Sequence, residues 1–360
     1  MKVLYVTHQR AVNQFGGAEV QIAKTKEYVN RVSGDVNVKL FDMWNDKIRD
    51  FDLVHMFQPA AFPSESLGIA ELAAKGGTKV AVSTIFYPLD NMIRGERGLL
   101  TSLTWRAYAS VTNKLSRFAP FETLEPYGRL GRLLRHTDII LPNTREEAGK
   151  LSGLYPWVSN KKTFVVPNGV DPKFESGTSD KFVERYGLQG FVLFVGRITK
   201  RKNLLRLIRA FVSSDLDTDL VIIGEPIEEE YFELCRKLST DKVKFFSPIP
   251  ADSELLVSAY KAAKVTVLPS YYETPGLVAL EGGLAGSNLV VTKVGGTKEY
   301  FEDLAWFIDP MSEKSIQSAL IEAFNSSRNR RLSEHIAKNF TWPIVAQKTL
   351  KAYEYAIHHD

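Results

Sequence analysis

The chain has 360 residues, of which 44% are hydrophobic and 24% charged, and its net charge is only +4. This length exceeds what one hydrophobic core usually covers, so we expect two domains, and so mild a charge predicts no nucleic-acid partner. The single cysteine, Cys235, excludes a disulfide framework and favours a reducing, cytoplasmic environment. No apolar run is long enough to span a bilayer, and the apolar start at Met1–Thr7 is too short for a signal peptide.

The amino-terminal half alternates between strand and helix patterns. One helix is predicted at Val20–Val32, and Asn143-Thr144 followed by acidic residues is typical of the start of another. Strands alternating with helices predict a parallel sheet covered on both faces. The predicted strands are Lys2–Thr7, Val38–Phe41, Leu53–Phe57, Lys79–Thr84, Asp138–Leu141 and Lys162–Val166.

A second α/β series follows the turn-forming run Pro167–Pro172, which we interpret as a linker. Continuous apolar strands, as parallel sheets require, are predicted at Phe191–Val195, Leu220–Ile223, Lys242–Phe246, Val265–Leu268 and Leu289–Thr292. The sequence therefore predicts two Rossmann-like domains, residues 1–165 and 166–341, facing each other across a cleft. We expect the terminal helical segment, residues 342–360, to join the first domain.

The segment Pro269–Glu281 places two carboxylates eight positions apart around a Pro-Gly turn. Glu273 precedes a helix that begins at Gly276, and Glu281 is expected about two turns inside it. The amides of Gly276, Leu277 and Val278 would lack partners within the helix and could bind an anion. This pattern suits a site that holds a phosphate with sugar hydroxyls on both sides, or it is an ordinary strand–loop–helix with surface glutamates.

A basic cluster follows the predicted strand Phe191–Val195. Arg197 comes directly after this strand, and Lys202 lies in the run Lys200–Asn203, which is predicted to open the next helix. Ligands of open α/β sheets bind beyond the carboxyl ends of strands. Cations at a helix start are unfavourable with the helix dipole, and a bound anion would offset this cost. The cluster therefore favours a diphosphate site over a solvated basic loop.

Two glycine loops could approach the same anion. Gly16 and Gly17 follow the first strand, and Gly295-Gly296 follows Leu289–Thr292. Glycine lets the backbone come close to a phosphate, although a tight turn requires glycine equally. Both interpretations remain open for both loops.

Metal and histidine chemistry have little support in the sequence. The Asp-x-Asp pairs lie in polar connections and indicate solvated turns, so no metal site is assigned; they are Asp50/Asp52, Asp215/Asp217 and Asp217/Asp219. The histidines are scattered without metal-ligand spacing. His55, within a predicted strand, faces either the cleft or the core, and we favour the core.

Residues 91–136 combine an excess of basic residues with interleaved aromatic and apolar residues. Basic amphipathic segments of this kind suit an anionic membrane surface, whereas ordinary amphipathic helices with arginines reaching to solvent explain them equally well. The basic residues are Arg94, Arg97, Arg106, Lys114, Arg117, Arg129, Arg132 and Arg135. The localisation that follows is cytoplasmic, with peripheral contact to the inner face of the cell membrane as the second interpretation.

Taken in chain order, these motifs resemble glycosyltransferase family 4, whose members are retaining enzymes of the GT-B fold. The order and spacing of the motifs are specific together, although each motif alone is not. They are Gly16–Glu19, Asp138–Glu147, Val166–Asp171, Val195–Arg197 with Lys202, Ile223–Gly224, Pro269–Glu281 and Gly295–Glu299.

The resemblance implies transfer of a sugar from a nucleotide-diphosphate sugar to a hydroxyl of a saccharide or lipid-linked acceptor, with retained configuration, in glycan or glycolipid biosynthesis. The first domain would bind the acceptor and the second the donor. The nucleotide sugar is a co-substrate, and no metal or other cofactor is implied.

Site residues carry over from the resemblance one by one. Arg197 and Lys202 would bind the donor diphosphate and act in catalysis, and Gly16 and Gly17 would approach it from the first domain. Glu273 would hold the transferred sugar and Glu281 the ribose, while Gly276, Leu277 and Val278 would cap the distal phosphate or sugar. Pro250 lies where the family places the base.

One departure from the family concerns the strand Lys79–Thr84, whose end commonly carries a histidine that faces the donor sugar. None stands there, and Ser83, Thr84 or His55 could substitute for it. Smaller departures are Gly282-Gly283 and Ser287-Asn288. The competing hypotheses are a nucleotide-sugar epimerase of the same fold and an inactive nucleotide-sugar-binding homologue.

Overall fold

The computed structural model describes residues 1–8, 11, 16–86, 93, 95, 98–115 and 128–359. The described residues form two compact units. The first unit draws on Met1–Asp90, Leu100–Asn168 and Trp342–Asp360, and the second on Asn91–Leu99 and Gly169–Thr341.

The first unit is built on a six-stranded parallel sheet with the order β2-β1-β3-β4-β5-β6. Its strands are β1 (Lys2–Val6), β2 (Asn37–Leu40), β3 (Leu53–Phe57), β4 (Lys79–Ser83), β5 (Ile139–Ile140) and β6 (Lys162–Thr163). The last two are shorter than predicted, although backbone bonds continue beyond their ends: Leu141 N–H donates to the Val82 carbonyl at 2.7 Å, and Val166 N–H donates to the Pro142 carbonyl at 3.0 Å.

The first unit also contains helices. They are α1 (Gly17–Val32), α2 (Pro63–Gly76), α3 (Leu99–Leu115), α4 (Gly128–Arg135) and α5 (Arg145–Leu154), with 3₁₀ turns at Ile48–Asp50, Pro59–Ala61 and Pro156–Asn160. Helix α5 begins after Thr144, as predicted, and the Thr144 hydroxyl accepts the Glu147 N–H at 3.0 Å. The carboxyl-terminal helix, Trp342–His358, belongs to this unit and packs against α1.

The second unit contains another six-stranded parallel sheet, with the order β12-β11-β10-β7-β8-β9. Its strands are β7 (Val192–Val195), β8 (Leu220–Ile223), β9 (Val243–Phe246), β10 (Val265–Leu268), β11 (Asn288–Thr292) and β12 (Trp306–Ile308). Strand β12 was not predicted, since three apolar residues are too few to show a period.

The helices of the second unit complete two hydrophobic cores, one on each face of its sheet. Neighbouring strand residues alternate between them: Leu193 lies in one core, while Val192 and Phe194 lie in the other. The helices are α6 (Lys173–Ser176), α7 (Asp180–Tyr186), α8 (Leu204–Val212), α9 (Glu229–Lys237), α10 (Glu254–Ala262), α11 (Leu277–Leu284), α12 (Thr297–Phe301), α13 (Glu313–Asn325) and α14 (Arg330–Asn339). Trp342–His358 is then α15. Both units are Rossmann-like α/β domains, which confirms the predicted fold class.

None of the helices in the described residues combines the length and apolar character that crossing a membrane requires.

A buried polar chain joins α15 to the sheet of the first unit. The Tyr353 hydroxyl lies 2.8 Å from the Tyr5 hydroxyl and 2.6 Å from His55 Nδ1, and His55 Nε2 lies 2.9 Å from the Ser83 hydroxyl. Burial lowers the pKa of His55 to about 3, so the ring is neutral. Since a buried polar group without a partner costs free energy, Tyr353 fixes α15 specifically against β1 and β3.

Replacing Tyr353 by Phe removes the hub of this chain and leaves Tyr5 and His55 with one partner fewer. We expect a loss of about 1–3 kcal/mol in the free energy of unfolding of the first unit, measured by urea denaturation. Tyr355→Phe is the matched control, because Tyr355 lies on the same helix but is only half-buried and stacks on His359. Equal losses in both variants would contradict this role of Tyr353.

Candidate active site

The Glu273 loop connects β10 to α11 in the second unit. Gly276 precedes the helix with φ at +82°, and a Cβ there would lie 2.2 Å from Leu268 Cδ2, so this position requires glycine. The helix begins at Leu277, which places Glu281 about one turn inside it. The prediction of two turns was wrong, because a helix that starts at Leu277 reaches Glu281 after four residues.

The basic turn is bound directly to the Glu273 loop. Lys200–Lys202 forms a 3₁₀ turn before α8, so the cations precede the helix and do not open it as predicted. The buried Asn203 side chain donates to the carbonyls of Pro269 at 3.0 Å and Pro310 at 2.7 Å. These bonds bring the basic turn to the carboxyl end of β10.

Lys202 and Glu273 form a nearly buried ion pair. Lys202 Nζ lies 2.6 Å from Glu273 Oε1, Arg201 lies 3.6 Å from the same oxygen, and the Lys202 and Glu273 side chains are 14% and 7% exposed. Burial raises the pKa of Glu273, but the charges of Lys202 and Arg201 outweigh it and hold this pKa below its ordinary value. Burial likewise lowers the pKa of Lys202, against the attraction of Glu273. The pair therefore lies in a small site with an excess of positive charge.

The Gly295-Gly296 loop supports Glu273 through the backbone. Glu273 N–H donates to the Val294 carbonyl at 3.2 Å, and Gly296 N–H donates to the Glu273 carbonyl at 2.9 Å. Gly295 has φ at +100°, and a Cβ there would lie 2.0 Å from the Glu273 carbonyl oxygen. The close approach of this loop to the Glu273 backbone thus explains why glycine is needed there. Direct ligand contact by this loop stays a prediction.

Glu281 receives a hydrogen bond from a residue that the sequence analysis did not identify. The Tyr260 hydroxyl donates to Glu281 Oε2 at 2.6 Å. Burial raises the pKa of Glu281 above its ordinary value, while the bond from Tyr260 and the charge of Lys173 act in the opposite direction. Nothing in the sequence pattern singles out Tyr260, because an aromatic residue on an amphipathic helix predicts only core packing.

Arg197 and Pro250 lie on other loops of the second unit. Arg197 is exposed directly after β7, where Gly196 has φ at +145° and a Cβ on Gly224 would lie 1.9 Å from the Gly196 carbonyl oxygen. The carboxyl ends of β7 and β8 therefore approach each other closely behind Arg197. Pro250 is exposed between β9 and α10, and its carbonyl accepts the Ser253 N–H at 3.0 Å.

The departures Ser287 and Asn288 are held within the second unit. The Ser287 hydroxyl donates to the Tyr260 carbonyl at 3.1 Å. The Asn288 side chain donates to the Ala323 carbonyl at 2.9 Å and accepts the Asn329 N–H at 3.1 Å. Gly282 and Gly283 face Thr266 and Ile336 at distances that leave no room for a Cβ. All four departures serve packing.

In the first unit, Gly16 and Gly17 lie at the start of α1. Gly16 N–H donates to Glu19 Oε2 at 2.8 Å, and Glu19 Oε1 lies 2.9 Å from His8 Nε2. A carboxylate of the protein itself therefore occupies this helix start. Phosphate contact by Gly16 and Gly17 stays a prediction.

The proposed substitutes for the family histidine are all buried. His55 lies within β3 in the core, as favoured above, with both ring nitrogens hydrogen-bonded, so it cannot also reach a ligand without breaking those bonds. Ser83 is its partner, and the Thr84 hydroxyl donates to Glu147. Glu147 also accepts the N–H groups of Phe86 and Asn143, each at 2.8 Å. Contact of Ser83 or Thr84 with a sugar stays a prediction.

The basic segment is described in part. Arg129 donates to Ser64, Arg132 pairs with Glu71 at 3.1 Å, and the Arg135 guanidinium lies 5.0 Å from the Trp157 ring centre. Each arginine of α4 thus has a partner within its unit. The rest lie outside the described residues or have side chains that do; these are Arg94, Arg97, Arg106, Lys114 and Arg117.

The acid pairs show no metal geometry. Asp52 accepts the Lys2 N–H at 2.7 Å, and the exposed Asp217 pairs with Lys242 at 3.3 Å. Within the part of the chain that the structure describes, no three His, Cys, Asp or Glu side chains come close enough together to hold a metal ion. Cys235 is buried, and burial raises the pKa of its thiol to about 12, so it is a core residue.

Comparison with known proteins places these residues in a family. The family model described as "Glycosyl transferases group 1" matches residues 178–340. A D-inositol 3-phosphate glycosyltransferase of Kribbella flavida is 31% identical over 298 residues, 73% of this chain and 69% of that protein. One of Corynebacterium diphtheriae is 30% identical over 246 residues, 62% of this chain, and the chain spans only 57% of that protein's length.

Among solved structures, Anabaena Alr3699/HepE in complex with UDP and glucose superposes with a TM-score of 0.68 at 16% identity, covering 98% of this chain and 99% of that one. At this identity the likeness concerns the fold. With the Kribbella match extending over more than two thirds of both proteins, the chain belongs to the group 1 glycosyl transferases and has the GT-B fold, which confirms the resemblance to glycosyltransferase family 4 that its motifs carry.

Proposed function

We propose that this protein is a retaining glycosyltransferase that moves a sugar from a nucleotide-diphosphate sugar to an acceptor hydroxyl, in glycan or glycolipid biosynthesis. The observation that carries the proposal is the Lys202–Glu273 pair, held with Arg201 at the carboxyl end of β10. Two relatives are named D-inositol 3-phosphate glycosyltransferases, and a structural neighbour was solved with UDP and glucose. The second unit would bind the donor, and the first unit a saccharide or lipid-linked acceptor.

In this proposal the donor diphosphate takes the place of Glu273 as the partner of Lys202. A phosphate carries more negative charge than a carboxylate and accepts more hydrogen bonds, so it competes well for a half-desolvated ammonium. Arg197 supplies a second cation, and the amides of Leu277 and Val278 add the positive end of α11. Glu273 is then released to accept hydrogen bonds from the sugar hydroxyls.

The reaction breaks the bond between the anomeric carbon and the phosphate oxygen and forms a bond from that carbon to the acceptor oxygen. The electron pair of the broken bond leaves on the diphosphate, and the acceptor proton passes to the departing phosphate. Charge accumulates on the leaving group as the sugar approaches an oxocarbenium ion. Lys202 and Arg197 therefore supply the largest catalytic contribution, because fixed cations stabilise this developing charge.

Lys202 and Arg197 would neutralise the charge of the donor diphosphate, as a divalent metal does for other diphosphates. We therefore propose a metal-independent enzyme. An epimerase is not favoured, since family membership points to transfer. Incubation with labelled UDP-, GDP- and dTDP-sugars separates the hypotheses: transfer or hydrolysis supports the enzyme, sugar interconversion an epimerase, and binding without turnover an inactive homologue.

Lys202→Ala is expected to lower donor-dependent release of nucleoside diphosphate by at least about 100-fold, as the loss of a charge-stabilising group does. Glu281→Ala is expected to lower it as well, because Glu281 would hold the ribose, and the circular dichroism of both variants should be unchanged. Lys200→Ala is the matched control, because Lys200 lies on the same turn but is exposed and pairs only loosely with Glu228, at 3.6 Å. Wild-type rates in both site variants would refute the site assignment.

Glu273→Gln separates the two partners of Lys202. It removes the carboxylate that competes with phosphate, so we expect unchanged or several-fold tighter binding of the nucleoside diphosphate by calorimetry, together with a loss of sugar transfer. Glu228→Gln, which removes the partner of Lys200, serves as control. A weakening of nucleoside diphosphate binding as large as that in Lys202→Ala would show that Glu273 does not compete with the phosphate.

We propose in addition that residues 91–136 contact an anionic membrane surface. Support comes from α3, where apolar side chains at positions 100, 103, 108 and 111 share one side of the helix and are exposed; Leu100 is 79% exposed. Arg129 and Arg135 on α4 are exposed and Arg132 is half-buried, although each has a partner in its own unit.

Changing Arg129, Arg132 and Arg135 together to Gln should lower the affinity for phosphatidylglycerol vesicles, measured by co-sedimentation, by about tenfold or more. Each cation near such a surface contributes about 1 kcal/mol to the free energy of binding. The matched control changes Arg185, Arg236 and Arg330, three exposed cations of the second unit, to Gln. Unchanged sedimentation, or equal weakening in both triple variants, would remove the membrane proposal.

A further inference from the structure

The Tyr260 hydroxyl is fixed inside the second unit. Tyr260 lies on α10, its side chain is fully buried, and its ring packs edge-on against Phe174 with ring centres 5.5 Å apart. Its carbonyl accepts the Ser287 hydroxyl at 3.1 Å, which fixes the end of α10 to the start of β11. The phenol oxygen therefore has a defined position, 2.6 Å from Glu281 Oε2.

Core packing alone does not explain this hydroxyl. A phenylalanine would fill the same space, and a buried hydroxyl costs free energy unless it is hydrogen-bonded. The bond made here is of the strong type, from a neutral donor to a carboxylate. It engages Oε2 only, so Oε1 can accept hydrogen bonds from other groups.

We propose that Tyr260 is a positioning residue for nucleotide recognition, which orients the Glu281 carboxylate so that its second oxygen accepts the ribose hydroxyls of the donor. This inference rests on the proposed function, in which Glu281 binds the ribose. Tyr260 touches neither the nucleotide nor the reacting atoms; it acts through Glu281. A single bond to Oε2 prevents the carboxylate from rotating and turns Oε1 toward the ligand.

The test measures binding of UDP, GDP and ADP by calorimetry, and then the tightest of these against its 2′,3′-dideoxy form, in the wild type and in Tyr260→Phe. We expect Tyr260→Phe to weaken binding of the ribonucleotide about tenfold or more, as loss of a hydrogen bond to a charged group does. Binding of the dideoxy form should change less than twofold, because that ligand has no hydroxyls for Glu281. If Tyr260 has a purely structural role, Tyr260→Phe would weaken the binding of both ligands equally.

Tyr231→Phe is the matched control. Tyr231 is a similarly buried tyrosine of the same unit, on α9, whose hydroxyl accepts the Leu205 N–H at 2.9 Å. The Tyr231→Phe substitution removes one buried hydroxyl that does not contact Glu281, so binding of both ligands should stay at the wild-type level.

A second comparison tests the same inference through the coupling between Tyr260 and Glu281. Glu281→Gln and the double variant Glu281→Gln/Tyr260→Phe should bind the ribonucleotide equally weakly, because Tyr260 then has no carboxylate to orient. A further loss in the double variant, or equal effects of Tyr260→Phe on both ligands, would overturn the inference. Failure of the wild type to bind any of these three nucleotides or dTDP would refute the proposed function itself.

Discussion

The second unit depends on a nearly buried ion pair that costs free energy to form. Bringing Lys202 and Glu273 out of water carries a desolvation penalty that their attraction offsets only with good geometry and additional hydrogen bonds. The fold supplies both through the backbone. Asn203 holds the basic turn to Pro269, and the glycine loop at Gly295 holds the Glu273 backbone at a distance that no other residue allows. Three loops are therefore fixed around one pair, which is more than stability alone requires, since an apolar pair could fill the space.

The two units use glycines before a helix in different ways. In the first, the Glu19 carboxylate accepts the Gly16 N–H, so the positive end of α1 already has an anion of the protein. In the second, the first turn of α11 is apolar, and the carboxylate near its start, that of Glu273, is already paired with the two cations Lys202 and Arg201. An incoming dianion gains more at α11 than at α1 for this reason. The charge distribution thus supports the proposal that the second unit binds the donor.

The sequence predicted what depends on local pattern and missed what depends on contacts between distant segments. Strands such as Leu53–Phe57 and Val265–Leu268 were predicted with the observed bounds, because continuous apolar runs between turns leave little alternative. Glu273 and Glu281 were singled out as candidates from their spacing around Gly276. Tyr260 was not identified, since its proposed role depends on a hydrogen bond to a residue 21 positions away. Gly295 was recognised only as a loop glycine, because its close approach to the Glu273 carbonyl exists only in the folded unit.

The missing family histidine is a second case in which the sequence did not predict contacts between distant segments. Its absence at the end of β4 was visible in the sequence, but the arrangement that replaces it was not. Glu147, buried on α5, binds both Thr84 and Phe86, the residues on either side of Ile85. Ile85 has φ at +41°, a conformation that costs a β-branched residue on the order of 1–2 kcal/mol. Such a conformation persists only where its surroundings hold it, and two hydrogen bonds to one buried carboxylate do so. The end of β4, which lacks the family histidine, is therefore held by Glu147 in a defined conformation.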